Sequence, residues 1–159
     1  MSLANFLTDL NESFKKKEAE KRSREEALRR EEKQKKDFLR EFNEIYAQSV
    51  VRKIKKVEKN LKKEFKIKYK DPPEHFSREV VEGNITFYPK FNSGVYEAKI
   101  VVQGQYKARE LTITGSAVYR LNAHHKGTNI VYKDAIERFD PSQIENYLTQ
   151  VLRHYFIEG

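Results

Sequence analysis

From Leu3 to Phe65 the chain contains neither glycine nor proline, and that absence constrains the fold more than any other feature. Those are the two residues that interrupt helices at greatest cost. A stretch free of them and rich in Leu, Glu, Lys and Arg reads as one very long helix, or two in series, over about residues 3–65. At about 1.5 Å per residue, sixty helical residues reach roughly 90 Å, more than one small domain covers. The expectation is therefore a helix that meets a partner or stands partly alone in water.

The start of the stretch carries a seam. Leu3, Leu7, Leu10 and Phe14 alternate at spacings of four and three, with Phe6 beside them. This is the a/d pattern of a coiled coil, or the apolar stripe of an amphipathic helix. The polar side offers Asp9, Asn11 and Glu12 rather than the Lys and Arg of a membrane-surface helix. A protein is the expected occupant: a second copy of this chain, or another helical partner.

Between residues 15 and 37 the stripe is lost. The same register lands on Lys17, Lys21, Arg24, Glu31 and Lys35, with Leu28 alone apolar. Helicity here has another source, because Glu18, Glu20, Glu25, Glu26, Glu31 and Glu32 each precede an Arg or Lys by four residues. Glu-first pairs stabilise a helix by about 0.2–0.5 kcal/mol each. The competing reading is a charged disordered linker. Residues 1–37 are thus expected to be a projecting, amphipathic and charged helical extension. An α+β domain over 38–159 would include the second half of the helix.

From residue 38 apolar side chains return. Phe38, Phe42 and Ile45 fall in the heptad frame of Leu3, Leu7 and Leu10, which adds Phe38 and Phe42 to the expected partner-contact set. From Tyr46 onward the positions repeat every eleven residues, 46 to 57, 50 to 61 and 54 to 65. That period keeps a stripe on one side of a nearly straight helix, so this half is expected to pack on the domain that follows.

The opposite side carries Arg52, Lys53, Lys55, Lys56, Lys59, Lys62, Lys63 and Lys66. The chain's net charge of +8 is local to this region. Residues 52 to 70 hold ten Lys or Arg against Glu58 and Glu64, while residues 71 to 159 hold ten basic and eleven acidic side chains. One reading is a site for nucleic-acid phosphates or another polyanion. The other is a solvated helix face whose cations suit the negative end of the helix dipole.

Phe65 to Lys70 alternates apolar and lysine, the period of a half-buried strand. Asp71-Pro72-Pro73 ends it. Further strands are expected at 84–91, 95–103, 109–119 and 128–132, with Pro89 marking the first of these as an edge or a bulge. Asn92-Ser93-Gly94 signals a tight turn. Gly104-Gln105 reads as a bend or hairpin turn, and residues 122 to 127 as a loop. Five short antiparallel strands with sequential neighbours follow.

The last element, 141–156, has full start signals. Asp140 stands at the N-cap, Pro141 at the first helical position and Gln143 at the capping-box position, with Phe139 and Ile144 as a hydrophobic staple. The fold class is α+β.

The chemistry expected from this sequence is non-enzymatic. No glycine-rich phosphate loop occurs, and the absence of cysteine excludes disulfides and thiolate metal sites. Of His75, His124, His125 and His154, the adjacent His124 and His125 have no carboxylate or third histidine at helix-face spacing, and His154 reads as a rim residue of the last helix. No catalytic residue, metal ligand or cofactor is assigned. No run of eighteen apolar residues is present to span a membrane. A weaker alternative is a small-ligand pocket between sheet and last helix, drawing on Phe87, Phe91, Tyr96, Tyr119 and Tyr147; core packing is the plainer role for these aromatics.

Overall fold

The computed structural model describes residues 2–73, 79–121 and 126–158. It divides into two units, Met1–Asp37 and Phe38–Gly159. The expectations for residues 74 to 78 and 122 to 125, including His75, His124 and His125, lie outside the described residues.

The first unit is helical throughout its described length after Ser2, as part of α1 (Leu3–Glu44). The Ser2 hydroxyl accepts the Asn5 backbone N–H at 3.1 Å, satisfying one orphan donor of the first turn. Among the six expected Glu-first pairs, Glu31 and Lys35 close to 3.5 Å. The others do not form ion pairs. Long solvated side chains lose more rotamer entropy on pairing than a screened ion pair returns.

The second unit is the α+β domain. Its helical part continues α1 through a π-helical segment, Ile45–Val51, into α2 (Arg52–Glu64). The π winding answers a feature of the sequence. Phe38, Phe42, Tyr46, Val50 and Ile54, all buried, recur every four residues. On a regular α-helix each such step advances about 40°, spreading the row over roughly 160°. The wider turn, seen where the Arg52 N–H reaches back five residues to the Ala47 carbonyl, rotates the row back under the sheet.

This replaces the eleven-residue period expected from Tyr46 onward. Val57, placed on the buried stripe by that period, is half exposed at 50%, whereas Leu39 and Val51 are buried.

Five antiparallel strands follow in the order β1-β2-β3-β4-β5, a simple meander. They are β1 (Phe65–Lys70), β2 (Val80–Pro89), β3 (Val95–Gln105), β4 (Glu110–Tyr119) and β5 (Lys126–Ala135). β2 lies between β1 and β3, so Pro89 does not mark an edge. It is the last residue of the strand, opposite Phe65, where loss of one ladder donor costs little. Helix passes to strand with no connecting loop: Glu64 ends α2 and Phe65 is already extended.

The turn expected at Gly104-Gln105 is not there. Gly83 and Gly104 sit inside strands, not in turns. A Cβ on Gly104 would stand 2.8 Å from the Phe42 ring and 3.1 Å from that of Phe38. One on Gly83 would stand 2.6 Å from the Tyr46 ring. Glycine is required here because helix aromatics lie directly on the strand backbone. The β3–β4 turn is Tyr106 to Arg109, where Arg109 adopts φ 48. It contains no turn-favouring residue, so no local signal marks it.

α3 (Ile144–Phe156) buries Ile144, Leu148, Val151 and Tyr155. Its entry is a 3₁₀ turn, Pro141–Gln143. The Asp140 carboxylate accepts the Ser142 N–H at 3.0 Å and the Ser142 hydroxyl at 2.8 Å. These bonds hold Asp140 below the ordinary carboxylate range. Gln143 does not close a capping box; its Oε1 accepts the Asn146 amide at 2.9 Å instead. Phe65 joins the layers, with ring centroids 5.8 Å from Phe87, 5.4 Å from Phe91 and 4.9 Å from Phe156.

Both helical layers anchor a tyrosine on the sheet. The Tyr46 hydroxyl is shared between the Lys70 carbonyl at 2.9 Å and the Asn84 carbonyl at 3.0 Å. The Tyr155 hydroxyl lies 3.1 Å from the Gly115 carbonyl and 2.8 Å from Asn129 Oδ1. Burial raises both phenols, Tyr155 to about 12 and Tyr46 further still.

Candidate functional site

Within the first unit the expected contact residues are open to solvent. Leu3 is 81% exposed, Phe6 53%, Leu7 60%, Leu10 38% and Phe14 56%. Phe38 and Phe42 are different. Both are fully buried in the α+β domain against Gly104 and belong to its core, not to a partner surface. Sequence periodicity could not distinguish the two fates, because a heptad frame records which side of a helix is apolar and not what covers it.

The eight cationic residues divide by surroundings. Lys53 pairs with Glu145 at 3.3 Å and Lys62 with Glu58 at 3.3 Å. Lys55 Nζ stands 5.4 Å from the centroid of the Tyr69 ring. The Tyr69 hydroxyl donates to Glu58 at 3.3 Å; burial first, then Glu58, pushes that phenol up to about 12. Arg52, Lys56, Lys59, Lys63 and Lys66 are exposed.

The first strand sets Lys68 and Lys70 beside Lys66. β1 is an edge strand whose Phe65, Ile67 and Tyr69 face the helices, so that Lys66, Lys68 and Lys70 stand on the opposite side of the sheet. Lys66 is opposite Tyr88, and Lys68 opposite Thr86. A bulge between Val95 and Glu97 brings Tyr96, 50% exposed, beside Tyr88 on this open face. The two rings meet edge to face at 6.1 Å. Tyr88 carried no signal apart from its alternation with Phe87, and the bulge that places Tyr96 is not readable from composition.

The aromatics expected to line a ligand pocket do not come together. Phe87 is buried in the core, Phe91 packs on Phe156, Tyr147 packs on Tyr132, and Tyr96 lies on the far face of the sheet. Open polar clefts occur elsewhere. A volume of about 440 Å³ is bordered by Asn129, Asn146, Gln150, Arg153 and His154. Another of about 300 Å³ lies along the π-helical segment, with Glu41, Glu44, Gln48 and Glu137 at its rim.

Arg109 pairs with two acids of that rim, bonding Glu137 and standing 3.5 Å from Glu41. A hydrogen bond from the Glu137 backbone first, and then the Arg109 bond, hold the Glu137 carboxyl below its usual range. Among the described residues no three His, Asp or Glu side chains gather as a metal site, and no helix is long and apolar enough to cross a membrane. Comparison of the chain with protein-family models, curated proteins and solved structures finds no match.

Proposed function

We propose that this is a non-enzymatic interaction protein that self-associates through the apolar face of its N-terminal helix. The observation that carries the reading is the exposure of Leu3, Phe6, Leu7, Leu10 and Phe14 on one helix. Contiguous exposed apolar side chains mark interaction surfaces. A second copy is the occupant the pattern favours, since alternating spacings of four and three make a seam complementary to itself.

The test uses the full chain. Its mass by light scattering should rise with concentration, and Leu7→Glu with Leu10→Glu should raise the dissociation constant by at least about a hundredfold. A native chain that stays monomeric at every concentration would overturn the proposal.

A second reading is binding of nucleic acid or another polyanion along α2 and β1. It is favoured by one observation: among the described residues, Arg52, Lys56, Lys59, Lys63 and Lys66 have no carboxylate partner. Unpaired cations release condensed counterions when they meet phosphates, so affinity should fall steeply with salt. Reversing Lys56, Lys59 and Lys63 to Glu should weaken heparin and oligonucleotide binding and flatten the salt slope by about one unit per lysine. Unchanged affinity in that variant would refute it.

A further inference from the structure

We infer that the open face of the sheet carries a base-stacking subsite for single-stranded nucleic acid, with Tyr88 and Tyr96 as aromatic contacts and Lys66, Lys68 and Arg120 as flanking cations. The inference rests on the polyanion reading and names its ligand class.

Most large aromatics of the domain face the helices, and the buried tyrosines of that side spend their hydroxyls on sheet carbonyls. Tyr88 and Tyr96 lie on the other side, Tyr88 partly buried and Tyr96 half exposed. Cations stand at both ends of the pair. Lys68 Nζ is 5.6 Å from the Tyr88 centroid, and Arg120 Cζ is 5.7 Å from that of Tyr96. Arg120 is held there by its Nε–H, which donates to the Ser93 carbonyl at 3.0 Å, and by its N–H, which donates to the Gly94 carbonyl at 2.9 Å. Lys66 is the register partner of Tyr88. An acid also stands at this place: burial first, and then the charge of Glu97, raise the Tyr88 phenol.

Lys90 links this end of the sheet to α2. Lys90, just past β2, donates its backbone N–H to the Glu64 carbonyl at 2.8 Å and its ammonium to the Lys62 carbonyl. The end of α2 is thereby tied to the end of β2 that presents Tyr88. A strand whose phosphates follow α2 and turn round the β1 edge would bring its bases onto the tyrosines. Aromatic faces beside a cationic track suit unstacked bases, which a duplex keeps hidden. That chemistry separates single strands from sulfated or phosphorylated polymers without aromatic bases.

The experiment compares two probes on the full chain at low salt: a labelled oligothymidine of about sixteen nucleotides and inorganic polyphosphate. Tyr88→Ala with Tyr96→Ala is expected to weaken the oligonucleotide about tenfold and leave polyphosphate unchanged. If both probes bind and the variant changes neither, or both equally, the subsite is wrong while the polyanion reading stands. If neither probe binds the native chain, the polyanion reading fails and this inference fails with it. Should the double variant not fold, Tyr96→Ala alone, at a half-exposed position, carries the same comparison.

Discussion

Gly83→Val is expected to destabilise the α+β domain by about 3 kcal/mol, at the upper end for overpacking a filled core. Replacing a strand glycine ordinarily gains stability, because glycine costs about 0.5–1 kcal/mol there. At Gly83 the sign reverses. A Cβ would stand 2.6, 2.7 and 2.9 Å from three atoms of the Tyr46 ring. That ring cannot swing aside, since its hydroxyl is held by two carbonyls and its face stacks with Phe42 at 6.5 Å.

Against a typical total of about 5–15 kcal/mol, the loss would be visible in any urea titration. Gly94→Ala is the control: nothing lies within 4 Å of the Cβ it would add, so its midpoint should match the parent. A Gly83→Val protein within about 0.5 kcal/mol of the parent would show that Tyr46 is not wedged as described.

Alkaline pH should unfold the same domain. The folded-state pKa values of Tyr46 and Tyr155 lie above the unfolded value near 10, chiefly through burial, with Asp71 adding to the first and Tyr119 to the second. The folded state therefore holds these protons more tightly. The stability this confers is complete below about pH 10 and is lost as pH climbs through the folded values, about 12 for Tyr155. Each such group removes up to about 1.4 kcal/mol per pH unit within that window.

Unfolding free energies measured from pH 8 to 11.5 should fall in step with the rise in phenolate absorbance. Tyr46→Phe should be less stable at pH 8, by about 1–3 kcal/mol for two carbonyls left without their donor. It should also show a shallower alkaline decline. A flat profile to pH 11.5 would contradict both phenols' placement.

The sequence was legible where the signal is local. Phe65 to Lys70 alternates and forms β1 with the expected limits. Asp140, Pro141 and the stripe from Ile144 to Tyr155 announced the last helix. What failed needed knowledge of neighbours. The Tyr106–Arg109 turn is set by strand register and by Arg109 reaching Glu41 and Glu137, not by turn-forming residues. Gly83 and Gly104 resemble punctuation until the rings that need their missing Cβ atoms are in place.

The same division applies to the candidate surfaces. By itself the sequence determined that residues 3–64 are helical, that a five-stranded α+β domain follows, and that positive charge concentrates at 52–70. These are consequences of backbone propensity, periodicity and composition, which act over a few residues. Tertiary structure alone decided that Phe38 and Phe42 are core while Leu3 to Phe14 stay exposed, and that a π-helical turn realigns the Tyr46 row. It also decided that Tyr88 and Tyr96 meet beside lysines on the open sheet face. Burial and juxtaposition depend on which strand lies next to which, and that is fixed by contacts between residues far apart in the chain.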